Sequence, residues 1–311
     1  MSVAHQPVMV DEVIRYLITA PDGIYVDGTA GTGGHSLDIC KTLGTHGRLI
    51  CLDVDKTSLR LAEKRLVSCK EKVTVIKESY VNLDVVLKEI GVGTVNGILL
   101  DLGLSSYQLE SSGRGFSFLR EEPLDMRMDE DRGIAAGELV NTISVEGLQR
   151  LLWGYAQERW AKSIARAIAE ERKKKPLTST LQLTSLVEAV IPARYHSRKR
   201  HPATKTFQAL RIAVNNELDN ISDFLKKVPY LLVTGGRLVV ISYHSLEDRI
   251  VKHALYPRQN SDVHPRGLPV IPEDRTSLMR PVRKKGLRPS KDEVNTNPRS
   301  RSAIMRIGER K

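Results

Sequence analysis

The chain has 311 residues, 41% hydrophobic but only 5% aromatic, and a formal net charge of +11. That suits one large α/β domain, alone or with a sizeable insertion, packed mainly on Leu, Val, Ile and Ala. No apolar run has the length of a bilayer span and the N-terminus shows no basic-then-apolar leader, so a soluble, cytoplasmic protein without membrane association is expected.

In chain order, residues 23–27 read as a short buried strand running into a glycine-rich turn, and His35 to Leu43 as a helix. Residues 47–53 form a second apolar strand ending in an acid. Thr57 to Val67 is a helix with Leu59, Ala62 and Leu66 at helical spacing. Strands at 72–76 and 95–101 flank a helix at Leu83 to Ile90. Alternation of this kind predicts a parallel sheet with right-handed crossovers. It stops after residue 108. Residues 109–131 read as an ordered loop, and about 135 to 210 as helical, with amphipathic stretches at Ala161 to Lys174 and Thr180 to Ile191. One long helix is expected from Phe207 to Leu232, broken near Pro229. Strand character returns at 235–242, residues 257–300 read as loop, and 302–307 as a closing edge strand.

Charge is unevenly spread. Residues 1–108 hold 11 basic and 13 acidic groups, net −2, so the other 203 residues carry +13. Basic charge gathered on one part of a chain suggests a polyanion partner. Cys40, Cys51 and Cys69 form no CxxC pair and are expected to be reduced. No HxH or HExxH spacing occurs, so no protein-bound metal is expected.

The strongest local signal is the loop from Asp27 to Ser36, which holds Gly28, Gly31, Gly33 and Gly34. It follows a strand and opens a helix, where glycines let backbone approach a ligand and helix N–H groups face it. A P-loop would need a Lys before Ser/Thr, and GxGxxG fails at Ser36. What remains is S-adenosyl-L-methionine, whose carboxylate suits the helix N-terminus. Asp53, 20 residues after Gly33 at a strand end, can accept hydrogen bonds from both ribose hydroxyls. Asp55 is the competing acid, and its place beyond the strand favours a helix cap.

Ordered blocks across nearly the whole chain resemble the bacterial 16S rRNA cytosine-N4 methyltransferase family, RsmH, formerly MraW. They are His5 to Met9, the loop Asp27 to Ser36, Ile98 to Leu109, Arg114 to Phe118, Pro123 to Asp129, Phe207 to Leu218, Ser242 to Arg249 and Asn297 to Ala303. The resemblance implies a class I, Rossmann-like S-adenosylmethionine-dependent methyltransferase sheet, residues 1–108 and 207–311, interrupted by an all-α domain at 109–206 that helps recognise RNA. It implies cofactor contacts from Gly33, Gly34, His35, Asp101 and Gln108, with Asp53 at the ribose. It also implies a cytidine in the decoding centre of 16S rRNA as target, within the small ribosomal subunit; the residues leave monomer and homodimer both open. Tyr80 stands where the family usually has Phe beside the adenine, and Tyr243 replaces the usual Phe before His244. Gln157 stands where the family favours Glu.

The exocyclic amine of cytosine is conjugated with its ring and is a poor nucleophile, so an acceptor for its proton is needed. Asp101 or a nearby carbonyl can take that role, with Ser105 and Ser106 shaping the pocket; Asp101 contacting cofactor alone is the equal alternative. His244 is the other possible acceptor, against a role bonding Glu247 or Asp248 to hold a loop. For RNA, the expected phosphate contacts are Arg194, Arg198, Lys199, Arg200, Arg283, Lys284, Lys285, Arg288, Arg299 and Arg301, with Tyr195 stacking on a base. Arg114 and Phe116 either line the path of a flipped base or pack their own loop. An RNA-binding assembly factor without turnover is the competing class; the complete glycine loop with Asp53 and Asp101 favours an enzyme.

Overall fold

The computed structural model describes residues 7–197, 201–256 and 278–311. The chain divides into two compact units, residues 1–103 with 218–311, and residues 104–217. These bounds stand outside the expected 109 and 206.

In chain order the elements are α1 (Val10–Leu17), β1 (Ile24–Asp27), α2 (Gly34–Thr42), β2 (Arg48–Asp53), α3 (Lys56–Arg65), β3 (Val73–Lys77), α4 (Leu83–Glu89) and β4 (Val95–Asp101). The second unit contributes α5 (Ser106–Glu110), α6 (Ala136–Thr142), α7 (Val145–Ala156), α8 (Ala161–Lys174), α9 (Thr180–Val190) and α10 (Thr204–Asn215). Then follow α11 (Glu217–Leu231), β5 (Leu232–Ser242), α12 (Ser245–Leu255), β6 (Met279–Pro281), α13 (Lys291–Thr296) and β7 (Ile304–Arg310).

The strands form one seven-stranded sheet in the order β3-β2-β1-β4-β5-β7-β6. β1 to β5 are parallel, and β7 runs antiparallel to β5 and β6. This is the class I methyltransferase arrangement of an α/β fold. Successive side chains point to opposite faces, so both faces of the central strands are apolar and both are covered. Ile50, Leu52, Ile98, Leu100 and Val240 pack with Leu87 of α4, Phe224 and Val228 of α11 and Val251 of α12. Leu49, Cys51, Leu99, Val239 and Ile307 pack with Val13 of α1, Ile39 of α2 and Leu59 of α3. β1 is the switch point: β2 and β3 lie on one side, β4 and β5 on the other, and the carboxyl ends diverge there to leave a crevice.

The helical unit has its own core, formed by Leu148 and Leu152 of α7, Ile164 and Ile168 of α8, Leu183 and Val187 of α9, and Phe207 and Leu210 of α10. Ser179 caps α9, its hydroxyl accepting from the Gln182 N–H in a capping box.

Three sequence expectations need correction. The long helix from Phe207 breaks at Asn216, not near Pro229. Asn216 takes the left-handed conformation, φ 49°, and closes α10, a role an asparagine tolerates, while Pro229 lies in the last turn of α11. The strand at 302–307 is not an edge, because β7 lies between β5 and β6. β6, ending in Pro281, takes the edge where a missing N–H costs least. Within the region read as loop, residues 257–277 lie outside the described residues, and 278–300 carry β6 and α13.

Phe224 is fully buried, and Tyr80 meets it edge to face at 5.2 Å between ring centroids. Phe224→Ala is expected to cost about 3–5 kcal/mol of unfolding free energy, measured by urea denaturation. A loss under about 1 kcal/mol would mean that this face of the sheet is not close-packed.

Candidate active site

The glycine loop is tied to two strands at once. The Gly28 N–H donates to the Leu99 carbonyl of β4 at 2.9 Å, and the Ala30 N–H to the Leu52 carbonyl of β2 at 2.9 Å. The Gly31 N–H donates to Asp53 Oδ2 at 2.7 Å and the Asp55 N–H to Oδ1 at 2.9 Å. One carboxylate at the end of β2 thus fixes both the loop and the turn into α3, and each oxygen keeps a second lone pair. A Cβ at Gly28 would come within 2.6 Å of Leu100 Cδ2 and 3.1 Å of Tyr80 Cβ. Gly33 caps α2 at φ 80°, where a Cβ would meet Ala62 Cα at 3.1 Å. The first N–H groups of α2, from Gly34 onward, have no intrahelical partner and lie at the positive end of the helix.

Three carboxylates stand at the ends of adjacent strands: Asp27 on β1, Asp53 on β2 and Asp101 on β4. Asp27 is buried and accepts from Ser36 Oγ at 2.6 Å and the Thr29 N–H at 3.2 Å. Burial holds its pKa above the ordinary range despite these bonds. Burial also pushes Asp53 up to about 6, against the pull of the Asp55 and Gly31 N–H groups. Asp101 Oδ1 accepts from the Tyr243 hydroxyl at 2.8 Å, and its backbone N–H donates to Thr29 Oγ1 at 2.7 Å. His35 Nε2 is 3.4 Å from Asp101 Oδ2, at ion-pair range but without hydrogen-bond alignment. Burial alone would lower the His35 pKa; the Asp101 carboxylate, with Asp27 behind it, outweighs burial and raises it.

Asp55 is the N-cap of α3, accepting from the Thr57 and Ser58 N–H groups. Tyr80 stands half-buried in a 3-10 turn beside Gly28. His244 caps α12: its Nδ1 accepts from the Glu247 N–H at 3.4 Å, and its Nε2 faces Glu247 Oε1 at 3.1 Å. Glu247 in turn accepts from the Tyr243 and His244 N–H groups.

Within the helical unit, Ser105 and Gln108 form a reciprocal capping box at the start of α5. Arg114 is buried, donating from Nη1 to the carbonyls of Arg127 and Met128, with its guanidinium over the Phe116 ring at 5.5 Å. Phe116 is itself buried. Tyr195 is 43% exposed, with the guanidinium carbons of Arg194 and Arg159 5.1 and 5.3 Å from its ring centroid and Trp160 beside it at 5.5 Å. Arg299 and Arg301 are exposed on a 3-10 turn of the other unit. Arg198, Lys199 and Arg200 lie outside the described residues. Sequence reasoning missed Thr29, Asp27, Arg159 and Trp160 as site groups; only the first two carried a signal, through their place in the glycine loop.

The model of the MraW methylase family matches residues 2–311. The chain belongs to the MraW methylase family. It is 44% identical over 308 residues to ribosomal RNA small subunit methyltransferase H of Coxiella burnetii, covering 99% of each chain. It is 45% identical to the protein of the same name from Nitrosospira multiformis, covering 98% of this chain and 97% of that one. Among solved structures, an rRNA methylase from Streptococcus thermophilus aligns over 97% of this chain and 93% of that one, with 12% identity and a TM-score of 0.43.

The chain is a methyltransferase, and its cofactor is S-adenosylmethionine. The crevice residues fit that molecule. Three acids at adjacent strand ends suit a ligand carrying cationic sulfonium and ammonium groups, whereas a pyrophosphate would place like charge among them. The unpartnered start of α2 suits the ligand's carboxylate. The unpaired Asp53 lone pairs suit a ribose diol.

A carboxylate whose folded-state pKa is raised favours the folded state only while protonated. The contribution of Asp53 to ligand-free stability is therefore present below about pH 4 and lost as pH rises through about 6. Asp53→Asn, which cannot ionise, should gain in urea midpoint relative to the parent between those pH values. A constant difference from pH 4 to 7 would show that Asp53 is not held in a desolvated position.

Proposed function

We propose that this chain methylates the exocyclic N4 of a cytidine in the decoding centre of 16S rRNA, acting in the cytoplasm on the small ribosomal subunit. The observation that carries the substrate class is likeness over nearly full length to proteins named for methylation of small-subunit ribosomal RNA. The choice of a nitrogen over a ring carbon rests on the side chains. Methylation at cytosine C5 calls for a nucleophilic thiolate. Cys51 is buried in β2 with its thiol pushed far up, Cys40 is buried with its thiol pushed up to about 12, both chiefly by desolvation, and Cys69 lies in the turn before β3, at the amino ends of the strands and away from the strand-end acids. What the crevice offers at the end of β4 is a carboxylate, which suits an amine.

S-adenosylmethionine supplies the electrophilic methyl group. Gly33, Gly34, His35 and Asp53 would hold it, with Tyr80 as a further contact, while Gln108 is given to the capping box with Ser105. Asp101 accepts a hydrogen bond from the amino group and takes its proton as the nitrogen rehybridises. His244 serves by holding the start of α12, since its Nδ1 lone pair is already given to the Glu247 N–H. Ser105 serves in the same way at α5.

The helical unit is the proposed RNA-recognition domain. Tyr195, exposed and flanked by the Arg159 and Arg194 guanidiniums, brings an aromatic ring and two charges together on this unit, a combination suited to a base and its phosphates. Arg299 and Arg301 add exposed charge on the other unit. Arg114 and Phe116, buried as they are, shape the loop that follows α5 more than they offer contact.

The deciding experiment is single-turnover methyl transfer to small subunits lacking the modification, followed by nucleoside mass spectrometry. N4-methylcytidine at one site is expected, with Asp101→Asn slower by about 100-fold or more at saturating cofactor. No transfer, or a methyl group on another atom, would refute the proposal. Tyr195→Ala should weaken subunit binding about 10-fold while leaving S-adenosylhomocysteine affinity unchanged, and binding of the parent should fall steeply with salt.

A further inference from the structure

Each carboxylate oxygen of Asp101 faces a side chain anchored elsewhere in the fold. Its Oδ1 accepts from the Tyr243 hydroxyl at 2.8 Å, and its Oδ2 faces His35 Nε2 at 3.4 Å. Tyr243 follows the end of β5, and its own N–H donates at 2.8 Å to the buried carboxylate of Glu247. Its ring lies against Gly103, which has φ 113° and where a Cβ would stand 3.3 Å from Tyr243 Cδ2. Backbone, ring and hydroxyl are thus all fixed. Desolvation and the Asp101 charge keep the phenol protonated well beyond its ordinary range, so it is a permanent donor.

We infer that Tyr243 is a positioning residue that acts through Asp101, fixing the carboxylate in one orientation so that its remaining lone pairs face the substrate amine. The inference rests on the role given to Asp101 in the proposed reaction. A carboxylate on a single χ1–χ2 hinge otherwise samples several rotamers. A hydrogen bond to a charged acceptor on one oxygen, with an imidazole beyond the other, selects among them. Misplacement of a reacting group by even about an ångström is enough to cost rate without costing binding.

The test uses the full chain and undermethylated small subunits, with single-turnover rates at saturating S-adenosylmethionine and calorimetric titration of S-adenosylhomocysteine. Tyr243→Phe should slow transfer about 10-fold, the effect of one charge-assisted hydrogen bond, while cofactor-product affinity stays within about 2-fold. The double variant Tyr243→Phe with Asp101→Asn should be no slower than Asp101→Asn alone, because the hydroxyl has nothing left to orient. Equal rates for Tyr243→Phe and parent would overturn the inference, as would losses that multiply in the double variant, which would indicate general loosening. Parent enzyme that transfers no methyl group to the subunit would overturn the proposed reaction and this inference with it, an outcome distinct from an active parent with an unaffected variant.

Discussion

The whole site depends on one carboxylate making two backbone hydrogen bonds. Asp53 takes the N–H of Gly31 on one oxygen and the N–H of Asp55 on the other. Through the first it closes the glycine loop against β2, and through the second it starts the turn whose Asp55 caps α3. α3 in turn presents Ala62, the neighbour that leaves no room for a side chain at Gly33. That carboxylate thus links the loop, the turn into α3 and the glycine seat, while Gly28 and Ala30 anchor the same loop to β4 and β2.

Holding an acid in that position costs free energy, because desolvation disfavours its charged form. Asp27 and Asp53 share this strain, and both have raised pKa values. Such strain is tolerable where a cationic ligand relieves it, since binding positive charge restores what burial removed. His35 shows the same logic with opposite sign: the neighbouring Asp101 and Asp27 carboxylates raise its pKa in spite of burial. A crevice preloaded with unfavourable negative potential gains more from a sulfonium than a neutral one would.

Much of this was legible in the residues. The parallel half of the sheet was visible because its strands are apolar on both faces, as at Leu49 to Leu52, and end in acids before glycine or helix-start signals. The return of the sheet at 235–242 was visible for the same reason, although Leu232 to Thr234, which begin β5 before an irregularity in its pairing with β4, did not read as strand. α1 went unseen although it is amphipathic with Val13 and Leu17 buried, because no capping side chain marks its start, which is set by Met9 in the left-handed conformation. The break at Asn216 was hidden because asparagine is a weak signal beside a proline, yet only its conformation ends the helix. Within the site, Asp53 and Asp101 announced themselves as strand-terminal acids. The partners of Asp101 did not, because no local pattern shows that the Thr29 hydroxyl will meet its backbone N–H, or the Tyr243 hydroxyl its carboxylate, across 72 or 142 residues of chain.

The two halves of the proposed task make opposite electrostatic demands. Taking a proton from a weakly nucleophilic amine needs a carboxylate kept from bulk water and fixed in direction, which the ends of β1, β2 and β4 provide on rigid sheet. Holding a polyanion needs exposed guanidiniums and an aromatic face, which Arg159, Arg194 and Tyr195 provide on the helical unit. Mixing the two would neutralise both, because a guanidinium within reach of Asp101 would pair with it and remove the acceptor. The chain separates them by sequence. Acids predominate in its first 108 residues and bases in the remainder. Tyr243 fits that division: it restrains Asp101 with a neutral donor, which directs a carboxylate without cancelling the charge that makes it useful.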